Sequence, residues 1–331
     1  MNVNNPYEIY IEKGLIENSL DYILKIYQKQ NVYIITDDNV SKLYLDKLEN
    51  AIKSRFNVKS VIIPHGEENK SMETYLYICK SLLDLNIRRN ELLIALGGGV
   101  VGDITGFVAA TLYRGINYMS IPTTLLADLD SSIGGKTGVD FNNMKNILGA
   151  FKQPKLVLID PNTFKTLPNE EIISGMGELI KHGFIHSPKL IDLLLKKTDI
   201  TEEVIYESLM CKKYFVEQDV YDQGVRMFLN FGHTFGHAIE LENNFKHGYA
   251  VIIGMLMAFN YGIDLKISKQ KDLDTLKQIL KVYDIKYQEF DYKKYLDKIK
   301  FDKKNIAGEI NFILIDEIGK PVVHKIKEQD L

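Results

Sequence analysis

The stretch Leu92-Leu93-Ile94-Ala95-Leu96-Gly97-Gly98-Gly99-Val100-Val101-Gly102-Asp103 decides the fold. It opens on an apolar run of strand length, and the residues beyond it, Ile104 to Leu112, read as a helix. Glycines between a strand and a helix let backbone N–H groups come close to a phosphate. The helix N-terminus adds a partial positive charge. The turn therefore predicts a dinucleotide pyrophosphate at the carboxyl end of a strand. Glycine clusters also make tight turns that hold no ligand, so this reading needs support from its surroundings.

Upstream, Val32 to Thr36 reads as a strand, Asn39 to Phe56 as a lysine-rich helix, Val58 to Pro64 as a strand and Ser71 to Leu85 as a helix. This alternation predicts an open, doubly wound, mostly parallel sheet with helices on both faces. Tyr118 to Pro122 and Leu156 to Asp160 read as further strands. After Pro168 the strand-like runs give way to helical periodicity as far as Ile299, and Ile310 to Ile315 forms a β patch. The expected class is α/β, with a doubly wound domain over 1–153 and a mostly α-helical domain over 154–331, closely packed around a cleft.

A chain of 331 residues exceeds one typical core. Its formal net charge of -3 offers no bulk attraction to nucleic acid or to a membrane surface. Every apolar run is interrupted well short of a membrane span. Cys79 and Cys211 lie far apart without metal-type spacing, which fits reduced thiols. The N-terminal residues show no basic-then-apolar signal pattern. The expectation is a cytoplasmic protein.

Two further groups of residues carry chemistry. Asn230-Phe231-Gly232-His233-Thr234-Phe235-Gly236-His237-Ala238-Ile239-Glu240 sets two histidines four apart, on one helical face. Both can point at a metal, or one can bind it while the other moves protons; a surface pair has the same spacing. His247-Gly248 follows, and upstream Gly175-Met176-Gly177-Glu178-Leu179-Ile180-Lys181 sets a carboxylate one turn before a lysine. Two histidines with a glutamate and an open position suit catalytic zinc. Between the strands, Asp130-Ser131-Ser132-Ile133-Gly134-Gly135-Lys136-Thr137-Gly138 and Lys145-Asn146, with Arg114, mix cations with glycines. Solvated lysines need no glycine beside them, so the mixture points to close approach of an anionic substrate.

These stretches together resemble the 3-dehydroquinate synthases, sugar-phosphate cyclases of the shikimate pathway, from about residue 30 to about residue 320. Glycerol and iron-containing alcohol dehydrogenases share the glycine turn. The Ser-Ser-Ile-Gly-Gly-Lys-Thr-Gly and Gly-His-Thr-Phe-Gly-His stretches are far more specific. The resemblance implies an N-terminal NAD domain, a C-terminal zinc domain in which cobalt can replace zinc, and commonly a homodimer. It implies Glu178, His233 and His247 as metal ligands. As NAD contacts it implies Asp37, Asn39, Glu67, Lys70, Gly98, Gly99, Val100, Asp103, Thr123, Thr124, Lys136 and Lys145, with a later segment of Thr163, Phe164 and Thr166. For the substrate it implies Arg114, Asp130, Lys136, Lys145, Asn146, Lys181, Lys212, Arg226, Asn230, His237 and one of Lys303 or Lys304. Tyr249 and Val220 depart from family positions that are commonly acidic, and the spacing from His233 to His247 is shorter than in many members.

The implied reaction takes 3-deoxy-D-arabino-heptulosonate 7-phosphate to 3-dehydroquinate and phosphate. A substrate alcohol is oxidised by NAD, phosphate leaves by β-elimination, and the ketone is reduced. The ring then opens and closes again by an intramolecular aldol step. Two rivals share the architecture. A metal-dependent polyol dehydrogenase has no use for a phosphate-gripping set of cations. Another cyclase, such as 2-deoxy-scyllo-inosose synthase, takes a substrate without the carboxylate that Lys212 and Arg226 suit.

Overall fold

Leu92 to Gly97 are buried at every position, so the strand they form needs cover on both faces, and this demand organises the N-terminal half. The computed structural model describes residues 1, 3, 5–196, 199–243, 245–299 and 309–327. Its elements begin with β1 (Glu8–Ile11), α1 (Leu20–Ile26), β2 (Asn31–Asp37), α2 (Asp46–Ile52) and β3 (Asn57–Ile63). There follow α3 (Met72–Asp84), β4 (Leu92–Gly97), α4 (Gly99–Thr111), β5 (Asn117–Pro122), β6 (Lys136–Phe141), β7 (Met144–Phe151) and β8 (Leu156–Ile159). A six-stranded sheet runs in the order β1-β8-β5-β4-β2-β3, with every pairing parallel.

Alternate residues of the strands feed two cores. Val32, Ile34, Leu92, Ile94, Met119 and Ile121 pack with Ile23 of α1 and with Leu48 and Ile52 of α2. Tyr33, Ile35, Leu93, Ala95 and Tyr118 pack with Ile78 and Leu82 of α3 and with Val101, Ile104 and Val108 of α4. The doubly wound expectation holds for this reason: the central strands β2, β4 and β5 are buried on both of their faces. β3 lies on one side of β2 and β4 on the other, so the strand order reverses between β2 and β4.

The sequence reading and the structure differ in several places. The helix after the glycine turn starts at Gly99, not Ile104, because Gly98 is its extended N-cap and the glycines form its first turn. The helix read over Asn39 to Phe56 is a π turn at Ser41–Leu45 running into α2, which stops at Ile52. The stretch that looked like a ligand loop is largely a hairpin of β6 and β7, closed by Asn142 and Asn143 with φ of 51° and 60°. Two successive positive φ values are those of a type I′ turn, which asparagine tolerates. The chain divides into units after Leu167 rather than at 153, because β8 completes the first sheet between β1 and β5.

The second unit, Pro168–Leu331, is mostly helical in its described residues. It holds α5 (Asn169–Ile185), α6 (Pro188–Leu195), α7 (Glu202–Gln218), α8 (His233–Asn243), α9 (His247–Asp264), α10 (Gln270–Val282) and α11 (Lys293–Ile299). Ser187 and Thr201 cap α6 and α7 by accepting from the N–H groups of Leu190 and Val204. The β patch becomes an antiparallel pair, β9 (Glu309–Glu317) and β10 (Lys320–Lys327). Among the described residues no helix is long and apolar enough to cross a membrane.

Candidate active site

In the second unit three helices deliver one side chain each to a common point. Glu178 comes from α5, His233 opens α8 and His247 opens α9. Each stands beside a glycine, and the glycines let the helices touch. A Cβ on Gly177 would overlap the carbonyl of Gly248, and one on Gly248 would overlap the carbonyl of Ser174, so α5 and α9 meet backbone to backbone. A Cβ on Gly254 would overlap the carbonyl of Gly232, which holds α9 against the start of α8 in the same way. Any larger residue at these points would push these three helices apart.

Single ligating atoms of Glu178, His233 and His247 lie within 4.8 Å of one another. Glu178 is fully buried, and its Oε1 accepts no hydrogen bond. That oxygen faces Nε2 of His233 at 3.5 Å and Nε2 of His247 at 3.8 Å. Nδ1 of His233 lies 3.2 Å from the carbonyl of Phe231, which can only accept, so Nδ1 carries the proton and Nε2 a lone pair. Burial holds the His233 imidazolium well below its ordinary pKa, and Lys181, His247 and His237 act in the same direction. An orphaned carboxylate oxygen facing a neutral imidazole's lone pair is a donor set that fits a cation.

Three cationic side chains of this unit are buried, one of them against this set. The ammonium of Lys181 presses against Oε2 of Glu178 from one turn along α5, and both side chains are buried. Lys212 on α7 and Arg226 are 3% and 4% exposed. Arg226 donates from Nη1 to the carbonyl of Val220 at 2.9 Å, while its backbone N–H donates to Asp219. The ring centroids of His237 and His233 are 5.3 Å apart, and Asn230 ends the preceding 3-10 turn exposed to solvent. Cys211, next to Lys212, is fully buried, and burial pushes its thiol far up. The structure thus brings Glu178, Lys181, His233, His237 and His247 together. Lys303 and Lys304 lie outside the described residues. Glu240, within the quoted histidine stretch but given no role there, lies 3.1 Å from Nδ1 of His247.

In the first unit the expected nucleotide residues gather at the carboxyl ends of β2, β4 and β5. Asp37 ends β2 and accepts the backbone N–H groups of Asn39 and Val40 at 2.9 and 2.8 Å. Gly97 ends β4 beside Pro122 of β5, and its carbonyl accepts from Thr123. Gly98, Gly99 and Val100 follow at the start of α4, whose first turn carries no acidic residue. A Cβ on Gly102 would meet nothing within 4 Å, so that glycine leaves open space rather than packing the chain. Thr123 is buried with its hydroxyl unpartnered, and the side chain of Thr124 lies beside Gly98. Glu67 sits exposed on a 3-10 turn, whereas buried Lys70 pairs with Asp103 of α4 at 2.6 Å. Thr163, Phe164 and Thr166 share one 3-10 segment, where the hydroxyl of Tyr44 contacts the Thr163 carbonyl and the Thr166 hydroxyl.

The other expected substrate residues of this unit are mostly exposed. Lys136 opens β6, and Lys145 and Asn146 lie on β7. The N–H of Asn146 donates to Asp140 at 2.7 Å. Asp130 is half-buried in the π turn after Leu126. Arg114 is exposed and holds a φ of 61°, between Tyr113 at 53° and Gly115 at 124°.

Comparison with known proteins finds relatives along nearly the whole chain. The model of the 3-dehydroquinate synthase N-terminal region matches residues 60–174, and that of the C-terminal region matches 175–305. A 3-dehydroquinate synthase of Clostridium kluyveri is 40% identical, over 98% of this chain and 94% of its own length. A 2-deoxy-scyllo-inosose synthase solved with carbaglucose-6-phosphate, NAD+ and Co2+ superposes with a TM-score of 0.87 at 22% identity, over 98% of this chain and 94% of that one. A 2-epi-5-epi-valiolone synthase of Streptomyces hygroscopicus solved with NAD+ and Zn2+ gives 0.86 at 23% identity, over 100% and 96%.

Proposed function

The chain belongs to the 3-dehydroquinate synthase family, and from that premise we propose how its own residues divide the work. The family's members convert 3-deoxy-D-arabino-heptulosonate 7-phosphate to 3-dehydroquinate and phosphate, which makes this chain a lyase of aromatic amino-acid biosynthesis that uses NAD and a divalent metal. Glu178, His233 and His247 hold zinc, or cobalt in its place, which when bound supplies Lewis acidity to substrate hydroxyls. NAD, when bound, supplies a hydride acceptor that is restored within the turnover.

The remaining assignments concern binding, orientation and protons. Asp37, Asn39 and Glu67 take the ribose hydroxyls. Gly98, Gly99, Val100 and the N-terminus of α4 take the pyrophosphate, where the strand order reverses. Asp103 fixes Lys70 beside them, and Thr123, Thr124, Thr163, Phe164 and Thr166 complete the nucleotide contacts. Lys181, Lys212, Arg226 and Asn230 orient the carboxylate end of the substrate. Arg114, Lys136, Lys145 and Asn146 grip the phosphate, with Lys136 and Lys145 also within the cofactor's reach, and Asp130 accepts from a substrate hydroxyl. His237, one turn from His233, moves a proton near neutral pH.

The observation that carries this reading is the convergence on one point of a buried carboxylate oxygen and imidazole nitrogens, beside a buried lysine. Phosphate release from 3-deoxy-D-arabino-heptulosonate 7-phosphate with catalytic NAD tests it. Phosphate should appear with no net NADH. One NADH per substrate consumed, without phosphate, would make the chain a dehydrogenase. We propose that the enzyme works in the cytoplasm as a homodimer, and sedimentation of the purified chain as a monomer at working concentration would refute the second point.

A further inference from the structure

His233 and His247 are held by different means. His233 rests against a backbone carbonyl and its side chain is 13% exposed, while the side chain of His247 is 32% exposed. Nδ1 of His247 instead faces a side chain, Glu240 Oε2 at 3.1 Å. Glu240 lies on α8 seven residues after His233, so the helix presents both along one stripe, with His237 between them. Its carboxylate is 12% exposed.

We infer that Glu240 is a positioning residue for the metal centre: it fixes the tautomer and ring plane of His247. An ionised carboxylate can only accept, so the proton of His247 stays on Nδ1. Nε2, which faces Glu178 Oε1, is then left with its lone pair. Without this carboxylate a half-exposed imidazole at the first position of a helix can place its proton on either nitrogen and turn about its ring bond. The carboxylate also raises the basicity of the ligating nitrogen. The inference rests on the metal-site reading above, because it concerns how one of those ligands is prepared.

The test is zinc affinity, measured on the full chain by competition with a chromophoric chelator, with circular dichroism as a check on folding. Glu240→Ala should weaken zinc binding about tenfold to a hundredfold. Glu240→Gln, whose amide oxygen still accepts from Nδ1, should fall between Glu240→Ala and the parent, and it keeps the test alive if the alanine variant misfolds. Turnover of both variants should recover as free zinc is raised, which a purely structural defect would not do. Zinc affinity unchanged in Glu240→Gln and Glu240→Ala would overturn the inference. So would a stoichiometry of two zinc ions per chain that falls to one in Glu240→Ala, since Glu240 would then be a ligand. His247→Ala tests the underlying reading separately: if it binds zinc like the parent, the metal site itself has been misassigned.

Discussion

The cations assigned to the substrate fall into two sets built in opposite ways. In the helical unit Lys181, Lys212 and Arg226 are 2%, 3% and 4% exposed. In the sheet unit Arg114, Lys136 and Lys145 are exposed, the last two on a hairpin whose second strand is largely open to solvent. A buried charge persists only where the fold supplies a counter-charge or acceptors, as Glu178 does for Lys181 and the Val220 carbonyl does for Arg226. An exposed charge costs the fold almost nothing and gains its orientation from the ligand. Losses in the helical unit should therefore damage both stability and turnover, whereas losses in the sheet unit should damage turnover alone.

The largest effect should come from the proposed metal ligands. His233→Ala should lose zinc, read by metal analysis, and slow turnover by about a thousandfold or more, since Lewis-acid stabilisation is worth several kcal/mol. Full zinc occupancy in that variant would show that the buried set is not a metal site. Next, Lys181→Met leaves the buried Glu178 carboxylate without its ammonium. The metal-free variant should lose about 3–5 kcal/mol in denaturant unfolding, and added zinc should restore most of it. Unaltered stability would break the contrast from the helical side.

Lys136→Ala tests the other side. Losing one charge-assisted contact should cut phosphate release on the order of tenfold to a hundredfold, with zinc content and NAD binding retained. Its unfolding midpoint should stay within about 0.5 kcal/mol of the parent. A destabilisation as large as that of Lys181→Met would mean the two sets do not differ as described. The smallest effect sharpens the rule within the sheet unit. Asp128 is fully buried with neither oxygen hydrogen-bonded, and burial, with Asp160 nearby, holds its carboxyl well above the usual range. A raised folded pKa means that the folded state binds the proton more tightly. Stability is then lost as pH rises above the unfolded value. Asp128→Asn should accordingly stabilise the protein by about 1–2 kcal/mol near pH 8 and by little near pH 4. An equal gain at both values would remove charge as the cause.

Much of this was legible in the chain. The central strands declared themselves because burial on both faces demands unbroken apolar runs, as in Leu92 to Leu96. β1 escaped notice because its four residues, Glu8 to Ile11, are only exposed or half-buried and carry little signal. The hairpin escaped because Lys136, Gly138, Lys145 and Gly149 look like a phosphate loop, although Asn142-Asn143 is a turn signal for it. The residues proposed as metal ligands were named through resemblance. A physical trace was present as well: Gly177-Glu178, Gly232-His233 and His247-Gly248 each set a converging side chain beside the glycine that lets its helix approach. Glu240 stood in the quoted motif, but its relation to His247 depends on how α8 and α9 pack, and sequence spacing does not give that.

Arg114 carries one more consequence. It holds the left-handed backbone region together with Tyr113, a conformation that costs a non-glycine residue about 1–2 kcal/mol and that glycine adopts freely. Selection for heat resistance alone should therefore carry position 114 toward glycine, because the arginine is exposed. Selection for growth without supplied aromatic amino acids should hold the arginine in place. A library passed through the two regimes in turn would separate at this residue, and the frequency of glycine there would record which demand the population had last met.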